Sequence, residues 1–227
     1  MSKIVEELKK DIRFIEGLKA CINCGVCTAI CPAAAFNKYD PRQIADTVQR
    51  GNEAEIEQLL KSDTIWYCGE CLSCKTRCPR GNTPGYIVQA LRALSIKTGF
   101  FIESEQGRKQ LAIKRTVGEH ILKYGYCVYI DEVNTDMYPE QGPVWDWLKQ
   151  NRQQVLERLG TSYQKNDNGT LRQIPEESLN DLRRIFDETG ATERFEQLEK
   201  LSDKKAKEMG MNRNTYFNYL YTGNTDK

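Results

Sequence analysis

Cys21-Ile22-Asn23-Cys24-Gly25-Val26-Cys27-Thr28-Ala29-Ile30-Cys31-Pro32 is half of a doubled pattern, and Cys68-Gly69-Glu70-Cys71-Leu72-Ser73-Cys74-Lys75-Thr76-Arg77-Cys78-Pro79 is the other half. Both read Cys-x2-Cys-x2-Cys-x3-Cys-Pro, and the second follows the first at an offset of 47 residues. Three chemistries use cysteine at this density. A disulfide framework suits short secreted domains, whereas this chain has 227 residues and its first thirty carry Glu6, Glu7, Asp11 and Glu16, unlike a secretory signal. Zinc takes four ligands, usually as two short pairs, and needs neither a third Cys at the same spacing nor the proline. A pair of [4Fe–4S] clusters uses every element. Three closely spaced thiolates hold three iron corners, and the fourth Cys, just before Pro, crosses to the other cluster.

The crossing assigns Cys21, Cys24, Cys27 and Cys78 to cluster one, and Cys68, Cys71, Cys74 and Cys31 to cluster two. Gly25 and Gly69 are expected where backbone passes close to sulfur and donates N–H hydrogen bonds. Ordinary turn geometry explains them equally well. Lys75, Arg77 and Arg80 form a basic edge on the second run, read either as a solvated face or as a group that raises the potential of cluster two or docks an acidic partner.

The rest of the composition narrows the class. Thirty-three Lys and Arg balance 32 Asp and Glu, which gives no support to bulk nucleic-acid binding. No apolar run approaches the roughly 20 residues of a membrane span, so a soluble, cytoplasmic chain is expected. The sequence holds no Gly-x-Gly-x-x-Gly or Gly-x4-Gly-Lys-Ser/Thr nucleotide signature and no Cys-Cys-Gly pair. With eight cysteines committed to clusters, the chain is expected to carry electrons and leave catalysis to a partner.

Helical signals dominate. Ile4, Val5, Leu8, Ile12 and Ile15 predict one opening helix ending near Gly17. Asp40-Pro41 predicts a capped start and Gly51 a stop; Asn52 with Glu55 predicts a capping box for a helix through Leu60. Thr83-Pro84 opens a helix bearing Ile87, Val88, Leu91 and Leu94, stopped at Gly99. Beyond it, a helix is expected over 104–124 with Leu111, Val117, Ile121 and Leu122 inward. A short strand or extended segment is expected over 126–133, then a helix from Pro143 to Gly160. Residues 165–169 form a polar loop, followed by helices over 175–189 and 191–209. The aromatic tail 214–221 is expected to lie across a partner or the chain's own core. The predicted fold is mainly α: an α-helical ferredoxin-type domain with two [4Fe–4S] clusters over 1–100, and a helical, subunit-docking extension over 101–227.

The first cysteine run, Asp40-Pro41-Arg42, Ile65-Trp66-Tyr67-Cys68 and Cys78-Pro79-Arg80-Gly81 carry a family resemblance. From about Leu18 to Leu94 the chain resembles HdrC, the iron–sulfur electron-transfer component of heterodisulfide reductase, and its bacterial Hdr-like relatives. The same doubled motif occurs in iron–sulfur subunits of glycerol-3-phosphate and glycolate dehydrogenases. The resemblance implies that the eight cysteines are cluster ligands. It also implies an electron relay between a flavoprotein subunit, HdrA, and a catalytic subunit with Cys-Cys-Gly motifs, HdrB. The stretch beyond about residue 125 departs from the shorter archaeal subunits expected of that family, and a bacterial sulfur-metabolising complex is an equal expectation. Two other readings are an iron–sulfur subunit of a quinone-linked dehydrogenase, and a structural iron–sulfur protein in nucleic-acid processing.

The remaining residues read blandly. Cys127 is expected to be a buried small hydrophobe and His120 a satisfied helix residue. Trp145 and Trp147 face different sides of a helix, and Lys204, Lys205 and Lys207 form a solvated face.

Overall fold

Proline at the first helical position, preceded by a capping residue, starts the two helices that organise the first half of the chain. Asp40 accepts hydrogen bonds from the Arg42 and Gln43 amides at 2.9 and 3.1 Å, and the helix Pro41–Arg50 ends at Gly51 in left-handed conformation. Thr83 precedes Pro84–Thr98, which ends at Gly99 in the same way, although Thr83 makes no side-chain cap. In the computed structural model residues 3–223 are described, and contacts divide the chain into two compact units, Met1–Arg108 and Lys109–Lys227. Among the described residues there is no strand.

In the first unit the helices are α1 (Lys3–Leu8), α2 (Ile12–Gly17), α3 (Val26–Ala29), α4 (Pro32–Phe36), α5 (Pro41–Arg50), α6 (Glu53–Lys61), α7 (Ser73–Arg77), α8 (Pro84–Thr98) and α9 (Glu105–Arg108). Short 3-10 turns lie at Thr64–Tyr67 and Phe100–Glu103. Helix α8 buries Ile87, Val88, Ala90, Leu91, Leu94, Ser95 and Ile96, so it is apolar on most of its circumference and forms the core of the unit. Ile44, Ala45 and Val48 of α5 and Ile56 and Leu60 of α6 pack around it. Gly17 lets α2 approach closely, since a Cβ there would sit 3.0 Å from the Ile87 amide nitrogen.

The single opening helix is corrected to two. Asp11 caps α2 by accepting the Arg13 amide at 2.8 Å, and the break rotates the apolar pattern. Phe14 and Gly17 face inward, while Ile12 and Ile15 stand 65% and 50% exposed. At α6 Asn52 accepts the Ala54 and Glu55 amides, but the Glu55 carboxylate pairs with Arg50 at 2.9 Å and does not close the capping box.

The second unit contains α10 (Gln110–Ile113), a π-helical turn (Lys114–Gly118), α11 (Glu119–Tyr124), α12 (Gly142–Gln150), α13 (Arg152–Arg158), α14 (Glu176–Glu188), α15 (Ala191–Glu208) and α16 (Arg213–Thr222). The helix expected over 104–124 is thus interrupted, and only Leu111 of its four expected core residues is fully buried. The segment 126–133 is irregular and is not a strand. The helix expected from Pro143 breaks at Asn151, and Val144, Trp147 and Leu159 are exposed, whereas Trp145 donates its indole N–H to the Val133 carbonyl. The aromatic tail folds as α16, capped by Asn212, with Tyr216 and Leu220 buried against Leu111 and Ala206.

The π-helical turn is tied to α15 by an ion cluster. Arg115 donates two hydrogen bonds to Glu199, and Lys114 reaches the same carboxylate at 2.9 Å. Burial pushes the Glu199 carboxyl up, but these two cations outweigh it and hold it at about 2, against an ordinary 4.5. The carboxylate is ionised in the folded state while the unfolded one takes up a proton, so its contribution is full above pH 4.5 and is lost as pH falls toward 2. Glu199→Gln is expected to lower stability at neutral pH by about 1–2 kcal/mol, less than a fully buried pair because solvent screens this one. Urea melts at several pH values check it: the gap between the two proteins should narrow as pH falls below 4.5 and close near pH 2.

Candidate metal centre

The two cysteine runs fold into the same local shape. Asn23 and Gly25 in the first run have positive φ, and so do Glu70 and Leu72, their partners at the 47-residue offset. Alternate left-handed residues turn main-chain N–H groups toward the inside of a loop, which builds a concavity suited to negative charge. The amides of Asn23 and Glu70 accordingly donate to Cys21 Sγ and Cys68 Sγ, each at 3.4 Å. Each run then enters a short helix, α3 or α7, and leaves it at Cys31 or Cys78, both at φ −76° and ψ 118°.

That extended geometry carries the fourth cysteine away from its own loop. Cys21, Cys24, Cys27 and Cys78 line a first cavity together with Arg42, Arg80, Asn82 and Pro84. Cys68, Cys71, Cys74 and Cys31 line a second, with Tyr39, Pro41, Tyr67 and Gly85. The structure therefore brings together the two groups of four in which the cysteines were assigned. It also relocates Arg80, read as an edge of the second run, to the wall of the first cavity.

Two side-chain clamps hold the loops by their main chain. Gln49 accepts the Cys21 amide at 2.6 Å and donates to the Cys21 carbonyl at 3.1 Å. Arg92 donates to the Ile65 and Cys68 carbonyls at 2.7 and 2.6 Å, and pairs with Glu70 at 2.6 Å. Asn82, 2% exposed, joins the two runs: its side chain accepts the Lys19 amide at 2.6 Å and donates to the Ala20 carbonyl, while its own amide donates to Cys78 Sγ at 3.3 Å. Arg42 bridges Asn23 and Asp40, each at 2.9 Å. Burial pushes the Asp40 carboxyl up, but donors from Thr28, Gln43 and Arg42 outweigh it and hold it below the ordinary range.

Burial dominates the thiols' electrostatics. It raises Cys27 to about 11, and it raises Cys74 despite an opposing hydrogen bond from the Gly85 amide. Cys71 stands in solvent and is lowered by the Ser73 hydroxyl, 3.5 Å from its sulfur. Tyr39 is raised well above the ordinary phenol range, by burial first and then by the Cys68 thiol it faces.

The donor chemistry, four thiols on the wall of each cavity, suits a [4Fe–4S] cubane. Among the described residues no group of three or more His, Cys, Asp or Glu converges on a single ion; a cubane asks instead for thiolates spread around a body, each on its own iron. The second cavity holds about 300 Å³. The first is narrower, about 20 Å³, and is bounded in part by the exposed residues Ile22, Val26 and Arg80.

Three sequence expectations are corrected here. Gly69 has ordinary φ and open space around it, so the sulfur-facing amides near it come from Glu70, and in the first run from Asn23 and not Gly25. Cys127 is exposed. The His120 Nδ1 is buried and no partner bonds it among the described residues.

A family model for a 4Fe-4S dicluster domain matches residues 17–82. The C subunit of the ferredoxin:CoB-CoM heterodisulfide reductase of Methanosarcina acetivorans is 37% identical over 177 residues, 76% of this chain and 68% of that protein. The chain belongs to the HdrC family of heterodisulfide reductase subunits. The corresponding iron–sulfur subunits of CoB–CoM heterodisulfide reductases from Methanocaldococcus jannaschii and Methanopyrus kandleri are 32% and 30% identical over 114 and 132 residues. Those matches cover 50% and 58% of this chain and 54% and 62% of the relatives. The Methanosarcina match takes a larger share of this chain than of its relative, so that subunit is the longer of the two, whereas the Methanocaldococcus and Methanopyrus matches take the larger share of the relatives, which are the shorter archaeal subunits expected. Like them, this is an iron–sulfur subunit of an oxidoreductase family, and among the described residues no helix is long and apolar enough to cross a membrane.

The clamps make a testable contrast. Asn82→Ala strands the buried Lys19 N–H and Ala20 C=O and is expected to cost about 1–3 kcal/mol. Gln49→Ala breaks bonds that water can replace and should cost under about 1 kcal/mol. Urea unfolding of the two variants checks the order.

Proposed function

We propose that the chain is the electron-relay subunit of a heterodisulfide-reductase-like complex. It would hold two [4Fe–4S] clusters and pass electrons between the flavoprotein subunit, HdrA, and the catalytic subunit, HdrB, whose Cys-Cys-Gly clusters carry the disulfide chemistry. The observation that carries this reading is the sorting of eight thiols into two cavities, each with three from one run and one from the other. Cys21, Cys24, Cys27 and Cys78 hold the first cluster; Cys68, Cys71, Cys74 and Cys31 hold the second. When bound, the clusters supply one-electron transfer at low potential. The chain's own residues do the rest: Gln49, Asn82 and Arg92 fix the loops, and the Asn23, Glu70 and Asn82 amides stabilise negative charge on sulfur.

All four thiols of each set are used as ligands in this assignment, which leaves no open iron for a substrate. Catalysis then belongs to the partner. We assign residues 1–100 to the cluster domain and 101–227 to an extension that docks the partner subunits, in the cytoplasm. The division of contacts at Arg108 and Lys109 supports two parts. The family membership favours this reading over an iron–sulfur component of a quinone-linked dehydrogenase, and the near-neutral charge favours it over a nucleic-acid role.

Anaerobic reconstitution should give about eight irons per chain, two cubanes. Cys78→Ser and Cys31→Ser separate the crossed assignment from an uncrossed one. Combined with Cys24→Ser, Cys78→Ser should leave one intact cluster, and combined with Cys71→Ser it should leave none. Cys31→Ser should show the reverse. Iron content and electron paramagnetic resonance of the reduced variants check this, and the opposite pairing would overturn the crossing.

A further inference from the structure

We propose that Tyr39 sets the reduction potential of the cluster at Cys31, Cys68, Cys71 and Cys74, by donating its hydroxyl to the Cys68 thiolate. The inference rests on the reading that this cavity holds a cluster, and adds a positioned donor specific to one of the two sites.

Tyr39 is 5% exposed and lines the second cavity alongside all four of its cysteines. Its ring belongs to the apolar core formed with Ile44 and Ile65, and Cys31 and Cys68 pack against that same core. A phenol buried at such a boundary needs an acceptor for its O–H, since an unmet donor costs about 1–3 kcal/mol. The polar groups that share the cavity wall with it are the sulfurs of Cys31, Cys68, Cys71 and Cys74. Cys31 and Cys68 also pack on the same core as its ring, with Cys68 the strongest electrostatic neighbour of its hydroxyl. Cys68 already receives the Glu70 amide, so the hydroxyl would give this ligand a second donor.

The first cavity has no equivalent. Tyr39-Asp40-Pro41 and Asn82-Thr83-Pro84 occupy matching places at the start of α5 and α8, with Tyr39 and Asn82 each two residues ahead of the proline that opens the helix, although α4 intervenes between Cys31 and Tyr39. At the second of these places Asn82 offers Cys78 its main-chain amide, while its side chain is turned to Lys19 and Ala20. The repeated loops are alike in main-chain donors, and each has a small hydroxyl beside one sulfur, Thr28 at Cys27 and Ser73 at Cys71; they differ in the buried phenol of Tyr39, which only the second cavity has. Hydrogen bonds to ligand sulfur favour the more negative, reduced state, so the added donor raises the potential of its own cluster.

The test uses the full chain, reconstituted anaerobically and titrated with dithionite while electron paramagnetic resonance follows each cluster. Wild type and Tyr39→Phe should both hold about eight irons. In Tyr39→Phe one midpoint potential should fall, by about tenfold in the reduction equilibrium, or about 59 mV for one electron, while the other stays in place. Replacing Tyr39 by 3,5-difluorotyrosine keeps its bulk and strengthens the donor, and should move the same potential upward. Electron–nuclear double resonance should find an exchangeable proton coupled to that cluster in wild type and not in Tyr39→Phe. Full iron content with both potentials unmoved in both variants would overturn the role of Tyr39 and leave the two-cluster reading intact. Fewer than two clusters in the wild-type chain would overturn that reading itself.

Discussion

The constraint on which the first unit depends is that Cys31 and Cys78 cannot stay with their own loops. Each follows a short helix and precedes a proline whose ring forbids the preceding residue a helical conformation, so the chain leaves extended and the thiol is delivered across. The exchange is reciprocal, and other residues obey it too. Pro41 lines the cavity that takes Cys31 and Pro84 the one that takes Cys78, while the next residues, Arg42 and Gly85, line the opposite cavities. Neither cavity is complete without both runs. The 47-residue repeat is therefore a pair of interlocked halves, and neither half makes a site alone.

Beneath that interlock lies an apolar scaffold, against which Cys21, Cys31 and Cys68 pack. Ile44, Ile56, Leu60, Ile65, Ile87, Val88 and Leu91 are at most 2% exposed, and burying such side chains is worth about 1.5–3 kcal/mol each. The cysteine loops are the opposite: Cys24 and Cys71 stand in solvent, and Leu72 holds a left-handed conformation that costs about 1–2 kcal/mol for a residue with a Cβ. Strain sits where negative charge must be met by N–H groups, and the core offsets it. Gly85 shows the two demands meeting, since its missing side chain leaves room for Leu72 Cδ2, 2.9 Å from where a Cβ would be.

What was legible in the sequence was local. The doubled cysteines, Asp40-Pro41 with Gly51, and Pro84 with Gly99 each announce their structure within a few residues, because caps, prolines and ligand spacings act over one helical turn. The misread elements depended on something farther away or conformational. Ile12 and Ile15 fit a helical period, yet the Asp11 cap restarts the helix and turns them to solvent. Asn23 and Glu70 were missed as sulfur donors because nothing in their side chains declares a left-handed backbone. Gln49, Arg92 and Tyr39 act on residues 28, 24 and 29 positions away, which no local pattern shows. The tail needed Leu111 and Ala206 before α16 had a face to bury.

Charge ties the loops to the function. Between Gly17 and Tyr39, and again between Cys71 and Ile102, the sequence has no Asp or Glu, although the chain as a whole is balanced. Glu70, inside the second run between Cys68 and Cys71, is paired with Arg92. A carboxylate facing a thiolate-bound cluster would raise the cost of adding an electron, and at these distances the repulsion is only partly screened by salt. Lysine and arginine at positions 75, 77 and 80 have the reverse effect and stand in solvent. The near-zero net charge thus hides an uneven distribution: the acids nearest the cysteine loops, Glu70 and Asp40, are each paired with an arginine, and many others lie on helices such as α6, α14 and α15. In the proposed two-cluster reading, such pairing would let a charge-balanced chain take up an electron at either cavity, with hydrogen bonds to sulfur helping to distinguish one cavity from the other.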